Sequence, residues 1–431
     1  MIFAHGIGGR TDLPIPITIL IVGSAAVLVV SFMALALLWP QPRLQSGPRY
    51  GEGGLALPGR RTLNAIGVLG LILVIGQLIL ALLHVATDPG RPSIAPVMVW
   101  VVFWLVLPFA GAVFGNWYAD INPWRTLAGV FGIGSRERIG LPHRVGLWPA
   151  TGVLVGFVWL ELVSASPADP ATLGAAALVY TVVLLAAMAV VGRETGLTLF
   201  DAFTPYNRLI SSISPLGRSR SGQLVWRGWL RALPVLPEWP GLWVFVVAMI
   251  ATVSFDGSAD TDWFRALTGG VGDTTAGATA LLLATVAVIG AAYYGAAAAA
   301  ARLGGINLAA RDVAQRFAHT LVPIALAYAV SHYFTLIIFE GQQLVATLSD
   351  PFALGWDLFG TADRRVDYFI TSSTPIWLTQ VGLIVGGHVI AVVLAHDRSL
   401  QDFGPGAVRS QYAMLALMIA LTSLGLLILS G

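Results

Sequence analysis

Seven histidines and Glu161, the one carboxylate inside an apolar run, are the groups of this sequence with chemistry to offer. A charge at lipid depth is expensive, so such a group faces a cavity, pairs with a partner, or gives up its charge. Imidazole titrates near neutrality and ligates metals as a neutral base, which suits proton transfer or a Zn²⁺ or Cu²⁺ site. Reading the runs in their inferred directions puts His84, Glu161 and His332 toward one end of the molecule. Tyr328 lies one turn from His332, and His5, Asp256 and Glu340 sit near the same end. His84, His332 and His5 are the candidate metal ligands. Glu161, His332, Tyr328, Gln380 and Pro323 are the candidate substrate or proton pathway. Each histidine has a plainer alternative, the satisfaction of a neighbouring backbone or hydroxyl group between helices.

His319, His388 and His396 form a second set toward the other end. Two histidine-bearing helices invite comparison with a di-haem b-type arrangement, in which residues about 14 apart share a helix face. His319 and His332 are 13 apart and point about 140° away from each other, and His388 and His396 lie only ~12 Å apart along the axis. A di-haem quartet does not fit; a single haem b held by two helices, or copper, stays open. No pair has a dedicated ligand spacing such as His-Glu-x-x-His. Cysteine is absent, which excludes thiolate catalysis and Cys-ligated zinc or iron–sulfur sites.

The elements that must hold these groups are long apolar helices. Hydrophobic residues make up 56% of the 431 and charged residues 11%, a composition outside that of soluble domains. Ten runs stand out, at 17–39, 63–87, 95–118, 147–166, 171–192, 241–255, 278–302, 313–339, 375–396 and 411–430. Most reach the roughly 20 residues a 30 Å hydrocarbon core requires. They are apolar all round rather than alternating, so they are helices and not barrel strands. The stretch before the first run lacks a positive n-region and a small-residue cleavage site, and that run reads as an uncleaved span.

There is no lysine, and the arginine-only usage reads as the codon bias of a GC-rich, bacterial genome. Nineteen of the 24 basic residues fall in every second loop, whereas twelve of the 22 acidic residues fall in the others. The positive-inside rule then makes the arginine-rich loops cytoplasmic and leaves both termini outside. The expected fold is an all-α polytopic bundle of about ten transmembrane helices in one integral domain, residues 1–431, in the cytoplasmic membrane. Insertion and anionic headgroups account for the basic side, so no nucleic acid is called for.

Smaller features refine this plan. In 223–233, Trp226, Trp229, Leu230 and Leu233 recur at helical spacing with Arg227 and Arg231 on another face. That pattern predicts a short helix on the membrane surface or on the protein itself, within the cytoplasmic loop 193–240. Pro123-Trp124-Arg125 after Asp120 echoes Pro205-Tyr206-Asn207-Arg208 after Asp201, either as a parallel repeat or as two similar interfacial segments. The outer loop 342–374 carries Trp356, Phe359 and Tyr368, which suit a lid or an interfacial anchor. Pro323 predicts a kink that frees a carbonyl. Gly382 and Gly386, followed by Gly387, and the run from Ala296 to Ala301 predict close helix contacts.

No Walker loop, dinucleotide fingerprint or Gly-x-Ser-x-Gly elbow is present. The leading expectation is a secondary transporter or permease-like protein for a small solute or ion, handled by buried His and Glu groups on the outer side. The alternatives are a haem- or copper-binding redox subunit and a non-catalytic subunit that works with membrane partners.

Overall fold

The computed structural model describes residues 15–51, 53–56, 58–135, 145–219, 221–305 and 308–430. His5 and the plain loop residue His143 lie outside them. Eight helical stretches are long and apolar enough to cross a membrane. They include α1 (Ile17–Leu38), α2 (Arg60–Leu82) and α3 (Ile94–Phe114), then α6 (Pro170–Val191), α9 (Leu242–Ala259) and α10 (Thr275–Leu303). The stretch Ala310–Ser349 contains α11 (Ala310–Phe317) and α12 (Val322–Phe339). The last, Ser373–Ser430, divides at Gly404–Gly406 into α13 (Ser373–Phe403) and α14 (Ala407–Ser430). A further apolar helix, α5 (Trp148–Leu162), is shorter.

Helix α9 is the central post. Nearly every residue from Phe245 to Phe255 is buried, because α5, α10, α12 and α14 all pack on it. One flank is α2, α3 and α6; the other is α1, α13 and α14. Exposed Val22, Val30, Ile72, Val179 and Val183 leave α1, α2 and α6 with apolar outer faces, the arrangement that lipid contact requires.

The arginine-bearing loops gather on one end. The Arg49 amide donates to the Arg227 carbonyl at 3.0 Å, the Arg43 amide donates to Asp397 at 2.5 Å, and Arg398 faces Glu238 at 3.5 Å. At the opposite end Arg91 meets Asp350 and Asp363, and the loop beyond α12 folds onto the ends of α2 and α3. There Gln77 Nε2 donates to the Pro351 carbonyl at 3.0 Å and the Ile94 amide donates to it at 3.1 Å.

Three local expectations are corrected. Residues 223–233 do not form a helix. Leu224–Trp226 is a strand (β2) paired antiparallel with β1 (Leu216–Arg218), and its backbone also exchanges bonds with Leu55. Strand pairing satisfies those backbone groups better than an isolated short helix does. Pro323 is not a mid-helix kink: a 3₁₀ turn, Ala318–Leu321, ends the preceding segment, and Pro323 stands in the first turn of α12, where its missing N–H costs nothing. Gly382 and Gly386 face open space. The close approach is at Gly387, where a Cβ would run into Ala327 and the Pro323 carbonyl.

The least expected element is a helical hairpin inside the bundle. After α6 the chain turns at Gly192 and runs back up as α7 (Arg193–Leu199), with Gly196 against Met188. It breaks at 200–202 and descends as α8 (Phe203–Ser211). Two registers fix the depth of the tip. Asp201 is level with Tyr180, eleven residues or about 16 Å from the arginine-side end of α6. Phe203 and Tyr206 stack beside Phe103 and Trp104, midway along α3, while Gly111 and Val113 meet Ser211 and Ser214. The hairpin therefore enters from the arginine-rich end and turns near the middle of the neighbouring helices. Non-helical backbone at that depth is tolerated only when protein covers it, and Asp201, Ala202 and Phe203 are all buried.

Candidate functional site

The tip is held by Asp201. Its carboxylate accepts from Tyr180 Oη at 2.7 Å, Tyr118 Oη at 3.1 Å, Asn122 Nδ2 at 3.2 Å, Thr204 Oγ1 at 2.6 Å and the Phe203 amide at 2.8 Å. Asn122 in turn caps α4 (Pro123–Val130) by accepting from the Arg125 amide at 3.0 Å. The two echoing segments thus start two helices at one carboxylate, and Arg125 pairs with Glu194 of the hairpin at 2.6 Å. Around the tip, Trp100, Phe103, Trp104, Trp124, Phe157, Tyr180, Phe203 and Tyr206 form a continuous aromatic knot with centroid spacings of 4.5–6.3 Å.

Glu161 sits one turn beyond Phe157, at the end of α5 away from the arginine face. It is 5% exposed, and neither carboxylate oxygen has a hydrogen-bond partner among the described residues. Its electrostatic neighbours are Asp256 of α9, Tyr206 of the hairpin and Tyr333 of α12. Asp256 Oδ2 lies 2.9 Å from His332 Nε2 and accepts from Tyr333 Oη at 2.6 Å. Tyr333 also sits beside Trp104. Asp256, His332 and Tyr333 thus form one bonded group, with Glu161 and Tyr206 in electrostatic range of it rather than in contact.

Asp256 reaches this cluster because α9 continues to Ala259, four residues past the predicted end of that run, so the side chain stands in the last helical turn. Gly257 beside it lets His332 approach, since the nearest groups to a Cβ there are Ile428 and the imidazole. An Asp–Gly pair followed by serine just after an apolar run was the available signal. Tyr206 and Trp104 carried none, as buried aromatics are ordinary core residues.

The other candidates go elsewhere. His84 is exposed just past the end of α2 with φ 51°, apart from the buried cluster. Gln380 exchanges two bonds with Ser331, at 2.8 and 3.1 Å, which tie α13 to α12. Tyr328 donates to the Leu421 carbonyl of α14. His396 is locked between Gln411 Oε1 at 3.1 Å and the Trp39 carbonyl at 3.0 Å. His319 Nδ1 bonds the Arg316 carbonyl at 2.9 Å and His388 Nδ1 bonds the Ile384 carbonyl at 2.8 Å, and the Nε2 of each is buried without a partner. His388 lies 5.8 Å from the Tyr328 ring, whereas His319 is in electrostatic range of Arg398. Among the described residues no three His, Asp or Glu side chains converge as a metal site.

Outside the helices, Asp357 is held below the ordinary carboxylate range by the Ala362 amide at 3.0 Å and by Ser349 Oγ at 2.8 Å. These bonds shape a loop that exposes Trp356, Phe359, Tyr368 and Phe369. Comparison of the chain with protein-family models, with curated proteins and with solved structures finds no match.

Proposed function

We propose that this chain is a secondary transporter or permease-like protein that moves a small solute or ion, with Glu161 and the Asp256–His332 pair handling a proton. In this reading ten helices span the cytoplasmic membrane, the arginine-rich end is cytoplasmic, both termini are outside, and the cluster belongs to the outer half. The carrying observation is Glu161: a carboxyl this buried and without a partner costs several kcal/mol when ionised, so it resides there as the neutral acid or beside a bound cation. The hairpin supports the same reading, because transporters place their sites where helices break at mid-depth and freed backbone ends are enclosed by protein.

The test is proton uptake into liposomes containing the purified protein and an internal pH dye, driven by a potassium diffusion potential. Wild type should acidify the lumen faster than empty vesicles, and Glu161→Gln should return to the empty-vesicle rate at equal incorporation. Wild-type flux equal to that of empty vesicles, or flux unchanged in Glu161→Gln, would overturn the assignment.

One observation favours a second reading, a haem- or copper-binding subunit. With Nδ1–H committed to a carbonyl, neutral His319 and His388 each present an Nε2 lone pair, the tautomer that ligates metals. A Soret band or stoichiometric copper in purified protein would establish it, and a metal-free, colourless protein would remove it.

A further inference from the structure

We propose that the Glu161–Asp256 carboxylates and the rings of Trp104, Tyr206 and Tyr333 form a binding site for an organic cation, a protonated or quaternary amine, that exchanges for the proton on Glu161. This rests on the proton-handling reading above and adds the class of substrate to it. The first argument is charge. Among the described residues Glu161 has no partner, and the charged group in electrostatic range of it is Asp256, another acid, so an ionised Glu161 has no cation of its own. His332 is already engaged with Asp256 at 2.9 Å. An anionic solute would meet two carboxylates with no arginine to answer it.

The second argument is what surrounds the carboxyl. A hydrated metal ion wants six or more oxygen ligands or a set of imidazoles, and the described residues offer no such group of three. They offer aromatic rings instead: Tyr206 stacks on Trp104 at 4.9 Å, and Tyr333 stands between Trp104 and Asp256. Ring faces attract weakly hydrated ammonium groups, most strongly where water is excluded, and all three rings are at most 3% exposed. Tyr206 belongs to the hairpin, so admitting a cation between these rings requires the hairpin tip to shift against α3.

The exchange balances as one ligand cation bound for one proton released from the Glu161 carboxylic acid, leaving the carboxylate paired with the ammonium. The experiment uses the purified full chain in weakly buffered detergent solution with a pH indicator, titrated with tetraethylammonium and with choline. The neutral carbon analogue of choline, 3,3-dimethylbutan-1-ol, is the control. About one proton should appear per cation bound, with affinity falling about tenfold per pH unit as protons compete, and the neutral analogue should release none. Glu161→Gln should abolish both binding and release. Trp104→Leu should weaken binding about 5- to 30-fold, as expected for a lost ring face in a desolvated site, while Trp104→Phe keeps most of it. Circular dichroism and gel filtration identify variants that fail to fold.

Cation binding unchanged in Glu161→Gln, equal response to the neutral analogue, or binding without proton release would overturn the proposal. An infrared band of a protonated carboxyl, present in wild type and absent in Glu161→Gln, separates two kinds of failure. If that band is missing, the proton-handling reading falls and this one with it. If the band is present but undisturbed by the cations, only the amine assignment falls.

Discussion

Replacing Glu161 by methionine should make the protein more stable and, under the proposed function, abolish proton movement. Methionine matches the length of glutamate and fills irregular gaps. Its thioether asks for no hydrogen bond, whereas both carboxyl oxygens of Glu161 are buried without one. A neutral polar group buried without partners costs about 1–3 kcal/mol in protein mutational data, so Glu161→Met should recover that amount. His332→Leu should do the reverse. It removes the imidazole that faces Asp256 at 2.9 Å and leaves the Tyr333 hydroxyl in place, and breaking a buried pair by removing one partner costs about 3–5 kcal/mol. The difference in sign is the diagnostic, because a general intolerance of the region would destabilise both variants. Reversible unfolding in mixed micelles, followed by near-ultraviolet circular dichroism of the tryptophans around the tip, measures both. Glu161→Met less stable than wild type by 1 kcal/mol or more would refute the reasoning, since it would mean that the carboxylate has a structural partner.

Further outcomes follow from the other buried groups. Asp201→Ala strands the donors that now converge on one carboxylate, and at about 1 kcal/mol per net hydrogen bond it should cost several kcal/mol or prevent folding, with Asp201→Asn milder; expression level and thermal unfolding check this. Gly387→Ala should destabilise by about 1–3 kcal/mol through overpacking against Ala327 and Pro323, whereas Gly386→Ala, facing open space, should be nearly neutral in the same unfolding assay. Asp357 has a folded-state pKa below its unfolded one, so the order it gives the loop is present above the ordinary carboxylate range and is lost as pH falls through the lowered value. Hydrogen exchange at Ala362 should therefore accelerate relative to its intrinsic rate on acidification, and Asp357→Asn should remove that pH dependence.

The apolar periodicity and the arginine alternation made much of this architecture legible. Helices stand where the long apolar runs are, and the arginine-rich loops meet on one end, as Arg49 with Arg227 and Arg398 with Glu238 show. The alternation also put Glu161 and His332 toward a common end. The hairpin was not legible. Its two arms have seven and nine residues, are polar enough to read as loop, and carry Arg193, Glu194 and Arg208. Such a segment enters the bundle only because other helices cover it, which is tertiary information. Histidine spacing failed for a related reason. His396 and His388 fall in an apolar run, yet one is consumed by Gln411 and Trp39, and the other bonds its own helix at Ile384. A sequence shows the depth of an imidazole, but its partner is supplied by another helix.

The echo between the segments after Asp120 and Asp201 takes on physical meaning at the tip. Its first copy begins α4 with Asn122 as cap, and its second begins α8, whose first amide, that of Phe203, donates to Asp201 at 2.8 Å. Because Asn122 donates to Asp201, the starts of the two helices are tied to each other. The hairpin is thereby tied at one point to α4, to Tyr180 of α6 and to Tyr118, while Tyr206, further along α8, is in electrostatic range of Glu161. Any change of charge at Glu161 acts on a ring carried by the hairpin, and any displacement of the hairpin tip acts on the surroundings of Glu161. If transport by this chain alternates access, that reciprocal link places the moving part at 193–211 and its anchor at Asp201. Asp201→Asn should then slow proton movement even though the substitution lies outside the Glu161 cluster, and it should leave the infrared signature of the Glu161 acid intact.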